Sequence, residues 1–389
     1  MNDQKTILTV NVGSSSIKLA LFSLSDLHKE LEAEVTNIGS AEATFISPNQ
    51  HIPVVVEDHA KAAALLMEKL DDMLVNAKLA AIGHRVVHGG PIYYLPTVVN
   101  DEVVRNLKSY SAFDPEHLPE ELNLIEIFSV HFPKVQQIAC FDTAFHHDLP
   151  NYSRILPLPR YLERDGLRRY GFHGLSYAYI LEDFRRNEGE AAVNGKLIIA
   201  HLGSGSSLAA LNGGMPIDTT MALTPASGIT MSTRSGDIDP GIITYLAHNY
   251  GYDIQQMNQL FNFKSGLLGI SEQTADMKKL LEGAQDNDYA RDAVDIFCYN
   301  VAKVIGGFTA ALNGLNSLVF TGGIGENAPK IRSRICGSLG FLGVELDPNR
   351  NEAGERLISS DGARVGVHVI HTDESVTIAR ETKKLLGEQ

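Results

Sequence analysis

Four side chains in this 389-residue chain stand where chemistry on an anion could be done. Arg85 closes the apolar run LAAIGHRV, and an arginine at the end of an apolar strand is costly to hold unless an anion meets it. That anion could be a ligand or one of the chain's 47 acidic side chains. Asp142 ends a second apolar run, QQIACF, the usual place in an α/β fold for a metal-associated or proton-handling carboxylate, or for the cap of the next turn. Arg234 projects from the small-residue loop MSTRSGDIDPG, so an anion contact is expected there. His173 abuts Gly174 in RRYGFHG and is read as either structural or catalytic.

The elements that must position these groups are built around glycine. TILTVNVGSSSIKLALF (6–22) reads as strand, turn and strand, with bare amides and hydroxyls at its tip from Gly13 to Ser16. KLIIAHLGSGSSLAALNGG (196–214) repeats the plan, with Gly203 to Ser206 at the tip. A third loop follows the strand SLVFT, where Gly322, Gly323 and Gly325 separate strand from helix and could carry a phosphate at a helix N-terminus. No G-x-x-x-x-G-K-[ST] run occurs, and the glycines at 13 and 203 close hairpins instead of opening helices, which excludes a Walker-type loop.

Between these loops the periodicity predicts strands at 33–37, 52–56 and 365–370. It predicts helices at 59–77, 101–111, after Pro119, 174–184 and 286–314, and a final helix after Glu374. The stretch 255–282 reads as mostly helical with a break at KSGLLGIS, and Pro240 as the first residue of a helix capped by Asp239. The length favours two domains, with a boundary near Pro150: 1–149 completed by the C-terminal helix 376–389, and 150–375. Paired hairpins point to two duplicated α/β domains with mixed sheets that close on a nucleotide.

Composition narrows the class. A formal charge of −14 argues against nucleic acid or an anionic membrane surface as the main partner, though a local basic cleft can still take a small polyanion. No apolar run is long enough to span a bilayer, and MNDQKT lacks the basic and apolar regions of a secretory leader. Cys140, Cys298 and Cys336 lack metal-ligand spacing and read as inert core residues of a cytoplasmic protein.

Six motifs in order, NVGSSSIK, GHRVVHGG, FDTAFH, YGFHGLSY, TRSGDIDPG and FTGGIGEN, resemble the acetate kinase family over essentially the whole chain. The resemblance implies an actin-like (ribonuclease H-like) two-domain α/β fold with a nucleotide cleft between the domains. It also implies a homodimer and phosphoryl transfer from ATP to acetate with Mg2+ or Mn2+. By matching position, Asn11 and Glu374 resemble the metal pair and Lys18 a nucleotide contact. Arg85 and Arg234 resemble the arginines flanking the carboxylate and the phosphoryl group, His173 the transition-state stabiliser, and Asp142 the catalytic acidic residue. His201, Leu202, Gly203, Ser204 and Gly205 resemble the phosphate loop, Asp276, Met277 and Lys278 the adenosine contact, and Gly323, Ile324, Gly325, Glu326 and Asn327 the loop under the nucleotide.

The residue types suit that reaction. A carboxylate nucleophile is already ionised at pH 7, so the need is for charge neutralisation, and Asp142 is expected to orient an arginine or a metal-bound water instead of moving a proton. Three departures bear on specificity. Glu116 and Leu118 stand in a segment that usually reads Leu-His-Asn-Pro, Ser204 replaces an Asn, and Met277-Lys278 replaces Phe-Arg. Propionate or another short-chain acid, or a donor other than ATP, is therefore the alternative within the class. A nucleotide-driven actin-like ATPase is the alternative outside it.

Overall fold

The computed structural model describes residues 5–13, 15–74 and 78–387, without the side chains of 71–73. Contacts divide the chain into two compact units. The first comprises 1–147, 174–179 and 373–389, and the second comprises 148–173 and 180–372.

The first unit holds an eight-stranded sheet. Its strands are β1 (Lys5–Val12), β2 (Ile17–Ser23), β3 (Lys29–Thr36), β4 (Thr44–Ser47), β5 (Gln50–Pro53), β6 (Lys78–Val86), β7 (Thr97–Val98) and β8 (Gln136–Phe141), in the order β5-β4-β3-β2-β1-β6-β8-β7. β1, β2 and β3 pair antiparallel, while β6 and β8 extend the sheet parallel to β1. The second unit holds β9 (Lys196–Leu202), β10 (Ser206–Asn212), β11 (Met215–Thr219), β12 (Ser317–Thr321) and β13 (Gly366–Val369), in the order β11-β10-β9-β12-β13. Again the first three pair antiparallel and the last two are parallel to β9. The same five-strand plan therefore occurs twice, an α/β architecture with two mixed sheets.

Burial on both faces explains why the central strands are apolar throughout instead of alternating. Leu8 and Val10 of β1 pack with Ala62, Leu66, Leu124 and Phe128 of the helices His59–Met73 and Leu118–His131 on one side. Ile7, on the opposite side of the pleat, packs with Ala20, Phe22 and Ala379 of the C-terminal helix Glu374–Gly387. Close approach of that helix to β6 leaves no room at Gly83, where a β-carbon would lie 2.2 Å from the Thr382 hydroxyl. In the second unit the helix Asp288–Leu312, capped by the Asn287 side chain, buries eleven residues of one face against β9, β10 and β12.

Several boundaries differ from expectation for local reasons. The first helix is described to its cap at Leu74, and the expected residues 75–77 lie outside the described residues, as does Ser14 of the first hairpin tip. Pro240 precedes the helix Gly241–Tyr250 instead of opening it, and the Asp239 carboxylate accepts from the Gly241 amide at 2.8 Å. KSGLLGIS is not a break alone, since Gly266–Ser271 is a short helix entered through Gly266 at φ +61°. The third glycine loop is itself the short helix Gly322–Asn327. All three cysteines are buried, and burial pushes each thiol up to about 12.

Candidate active site

In the first unit, the ends of β6 and β8 bring together residues 57 apart in sequence. Arg85 donates from Nε (3.0 Å) and Nη2 (2.6 Å) to Asp142 Oδ2, and from Nη1 to the Val12 carbonyl (2.6 Å) and Glu121 Oε1 (3.2 Å). Four of the five guanidinium N–H groups are thereby committed. Desolvation works against the charge, but Asp142, Glu121 and Glu374 together hold Arg85 firmly protonated. Acidic side chains thus meet the arginine, and Asp142 orients it.

Beside this pair, Asn11 Nδ2 donates to Glu374 Oε2 at 2.8 Å. Burial, and then the Asp142 charge, push the Glu374 carboxyl up. Lys29 Nζ bridges Glu32 (2.5 Å) and Asp373 (2.6 Å), and Asp373 accepts from the Ser375 amide (3.1 Å) at the start of the last helix. Lys18 pairs with Glu32 at 2.7 Å, a cross-strand contact between β2 and β3. Asp142 Oδ1 is buried without a hydrogen-bond partner among the described residues. Two mutually repelling carboxylates, one with an orphaned oxygen, beside an amide oxygen form a donor set that suits a hard cation such as Mg2+. No cluster of three or more His, Cys, Asp or Glu that could hold a metal occurs among the described residues.

In the second unit, His173 is left-handed (φ 57°, ψ 26°) just before the helix Gly174–Glu188, a conformation with a cost for a side chain of this size. Its Nδ1 lies 2.9 Å from the Ser207 hydroxyl, and its ring stacks on His201 with centroids 4.2 Å apart. A β-carbon added at Gly205 would lie 3.2 Å from His173 Nε2 and 3.5 Å from Arg234 Nη1, so imidazole and guanidinium converge on bare backbone at the hairpin tip. The Arg234 loop is pinned from two directions: Ser232 N donates to Ser204 O (3.2 Å), and Leu267 N donates to Met231 O (2.8 Å). At Gly266 a β-carbon would sit 2.2 Å from Met231 O, so glycine is required for that close approach.

The third glycine segment joins the same tip. A β-carbon at Gly203 would lie 3.8 Å from the Gly323 amide nitrogen. Glu326 is an internal anchor: Oε1 accepts from Gly322 N (2.8 Å), Thr321 Oγ1 (3.2 Å) and Thr372 N (3.2 Å), while Oε2 meets His371 Nδ1 (2.5 Å). Asn327 donates back to Gly323 O at 3.0 Å, and Ile324 packs on the core. Leu202 and Met277 are core side chains, and Asp276 caps the helix Met277–Gly283 by accepting from the Lys278 and Lys279 amides. Ser204, Asp276, Lys278, Gly323 and Asn327 are the exposed members of these segments.

Two residues absent from the sequence expectation complete the geometry. Glu121, buried in the first turn of the helix Leu118–His131, accepts from Arg85 and from Val87 N (2.7 Å). Arg332, 1% exposed, donates to the carbonyls of Gly325 (2.9 Å) and Glu326 (2.8 Å) and to Asn351, holding the C-terminal end of the glycine helix. A charged residue inside an apolar helical face was the available signal for Glu121. RSRI after the glycine segment carried none for Arg332.

These features define the class: a duplicated α/β protein whose first unit holds a buried arginine–carboxylate cluster and whose second unit sets an imidazole and an arginine against a glycine hairpin tip. The chain belongs to the acetokinase family, which it matches over residues 6–380. It is 37% identical to an acetate kinase of Pseudothermotoga lettingae, over 98% of this chain and 97% of that protein. Among solved structures it resembles a propionate kinase from Francisella tularensis subsp. tularensis (TM-score 0.89, 34% identity, 97% of this chain and 98% of that one). It also resembles the acetate kinase of Porphyromonas gingivalis (TM-score 0.85, 31% identity, 98% and 100%).

Proposed function

We propose that this chain is an acetate kinase, moving the terminal phosphoryl group of ATP reversibly to acetate to give acetyl phosphate and ADP. The observation that carries this reading is the convergence of His173 Nε2 and Arg234 Nη1 on the Gly205 backbone. In-line transfer spreads charge over three equatorial phosphoryl oxygens, and donors fixed before reaction lower its barrier without reorganising. His173 and Arg234 are assigned to those oxygens. The amides and small side chains of 203–205 and 323–327 are assigned to the nucleotide phosphates, and Asp276 to Lys278 and Lys18 to nucleotide contacts.

Arg85 is assigned to the acid substrate. Among the described residues its second Nη2 hydrogen is the one guanidinium donor left for a carboxylate oxygen, with Asp142, Glu121 and the Val12 carbonyl fixing its plane. Acetate is ionised at neutral pH, so no base is required, and Asp142 acts by orienting Arg85. Mg2+ or Mn2+ bound near Asn11 and Glu374 would neutralise phosphate charge.

A second copy of the chain is proposed to cover the helix Gly241–Tyr250, which buries none of its residues and exposes Ile242, Ile243, Tyr245 and Tyr250. Light scattering at micromolar concentration tests for that dimer. A cytoplasmic location is inferred from the buried thiols; no described helix is long and apolar enough to cross a membrane.

A coupled assay pairing acetate, propionate and butyrate with ATP, GTP and pyrophosphate tests the function, and absence of acyl phosphate with every pair overturns it. The likeness to the Francisella propionate kinase favours propionate as the second acceptor to examine.

A further inference from the structure

Behind the segment that carries Arg234, the second unit holds a cavity of about 390 Å3 that no step of the transfer uses. That volume is in the range of small-molecule sites. Its walls are the end of β11, the base of the loop 228–237 and one face of the helix Asp288–Leu312.

Both signs of charge line it, and their bonding capacity is only partly used. Asp218 Oδ1 accepts from the Thr219 amide and Asp237 Oδ1 from the Gly228 amide, each at 2.8 Å. Among the described residues neither Oδ2 accepts a hydrogen bond. Lys303 forms no ion pair among them, and its Nζ lies 5.7 Å from the Tyr299 ring centroid. Arg169 spends Nε and Nη1 on the carbonyls of Ser153 (2.9 Å) and Thr219 (2.8 Å), which leaves Nη2 available. Val304 and Phe308 supply an apolar wall. A molecule that fills this space must bring donors for the acids, acceptors for the cations and an apolar part.

The same cavity backs onto the groups assigned to the reaction. Gly228 and Asp237 close the base of the loop with two bonds, the second from Asp237 N to Gly228 O at 2.8 Å. Asn300 Nδ2 ties the long helix to Thr230 Oγ1 at 2.9 Å. Arg234 lies within the loop so anchored, and Arg169 stands on the segment that leads to His173.

We infer that this cavity binds a small zwitterion with an apolar side chain, an α-amino acid such as leucine, and that occupancy braces the loop that aims Arg234. The ammonium group is assigned to Asp218 and Asp237, the carboxylate to Lys303 and Arg169, and the side chain to Val304 and Phe308. Only the effect on turnover rests on the assignment of Arg234 to the phosphoryl group; binding does not.

Calorimetric titration of the full chain with L-leucine, alone and in excess acetate, tests the site. A Kd of about 1 mM or tighter is expected, within reach of a ligand of about nine heavy atoms, and acetate leaves it unchanged. L-leucinamide, which lacks the carboxylate, and 4-methylpentanoate, which lacks the amine, are expected to bind this cavity at least about tenfold more weakly. Gly307→Leu closes the cavity from the helix side: Gly307 is exposed, a β-carbon there meets nothing within 4 Å, and leucine is the better helix former. That variant is expected to melt like the wild type and to lose leucine binding. Lys303→Gln, which fills no space, is expected to weaken it about tenfold. No binding to the wild type up to about 10 mM, loss of binding in excess acetate, or full binding by a folded Gly307→Leu overturns the site; if that variant does not fold, full binding by Lys303→Gln does so. Equal binding of leucine and either analogue overturns the zwitterion. Saturating leucine is expected to raise kcat with acetate at least about twofold in the wild type and not in Gly307→Leu, and binding without that rise overturns the bracing alone. Should no acid and donor pair give acyl phosphate, the kinase reading falls while calorimetry still decides the site.

Discussion

Arg85 and Asp142 form a side-on ion pair, with both Nε and Nη2 of the arginine on the same carboxylate oxygen at 3.0 and 2.6 Å, and Asp142 fully buried. Because Oδ2 takes both donors, Oδ1 is left without a hydrogen bond among the described residues, and the pair is held by electrostatics more than by saturation of every lone pair.

Removing one member of that pair leaves the other charge stranded. Asp142→Ala is expected to destabilise the fold by roughly 3–5 kcal/mol, and the Arg85→Met/Asp142→Ala double variant to cost less than the sum of the singles. Denaturant unfolding of the four proteins measures both quantities, and strict additivity would contradict the coupling.

Arg234→Ala is expected to lower kcat by two to three orders of magnitude, about 3–4 kcal/mol of transition-state stabilisation, with little change in melting temperature. Steady-state kinetics beside a thermal melt check it, and an unchanged turnover number would remove Arg234 from the site.

Gly205→Ala probes the same point from the backbone side. The added methyl would sit 3.2 Å from His173 Nε2 and 3.5 Å from Arg234 Nη1, and the local φ is not left-handed, so the fold tolerates it while the two donors are displaced. A loss of at least about tenfold in kcat is expected, since small misplacements of positioned groups carry large rate costs. Full activity with native stability would show that the donors do not act at this point.

His84 sets an acid limit on stability. It is buried, meets Gln137 Oε1 at 2.6 Å, and burial drives it from 6.5 down to about 4. A histidine lowered on folding contributes stability that is present above the unfolded value and lost as pH falls towards the folded one, so the window is 6.5 to 4. Wild type is expected to lose roughly 3 kcal/mol more than His84→Gln across that window. Parallel unfolding curves for the two proteins between these pH values would contradict it.

How much of this was legible beforehand follows from the range of each interaction. The hairpins at Gly13 and Gly203 and the long helix after Asn287 rest on turn chemistry and apolar period, which act over a few residues and are written in the order of the chain. The grip on Arg85 was open in the sequence, because any of 47 acids could have met it. Tertiary structure chose Asp142 by laying β8 beside β6, and Glu121 by packing a helix over the end of β6. Sequence position puts Glu326 and Met277 in segments expected to meet the nucleotide; folding uses the Glu326 carboxylate to anchor a glycine helix and buries the Met277 side chain in the core. Motifs name the segments that gather at a site; which side chains face its ligand and which face inward is decided only when distant segments compete for the same buried hydrogen bonds and the same apolar space.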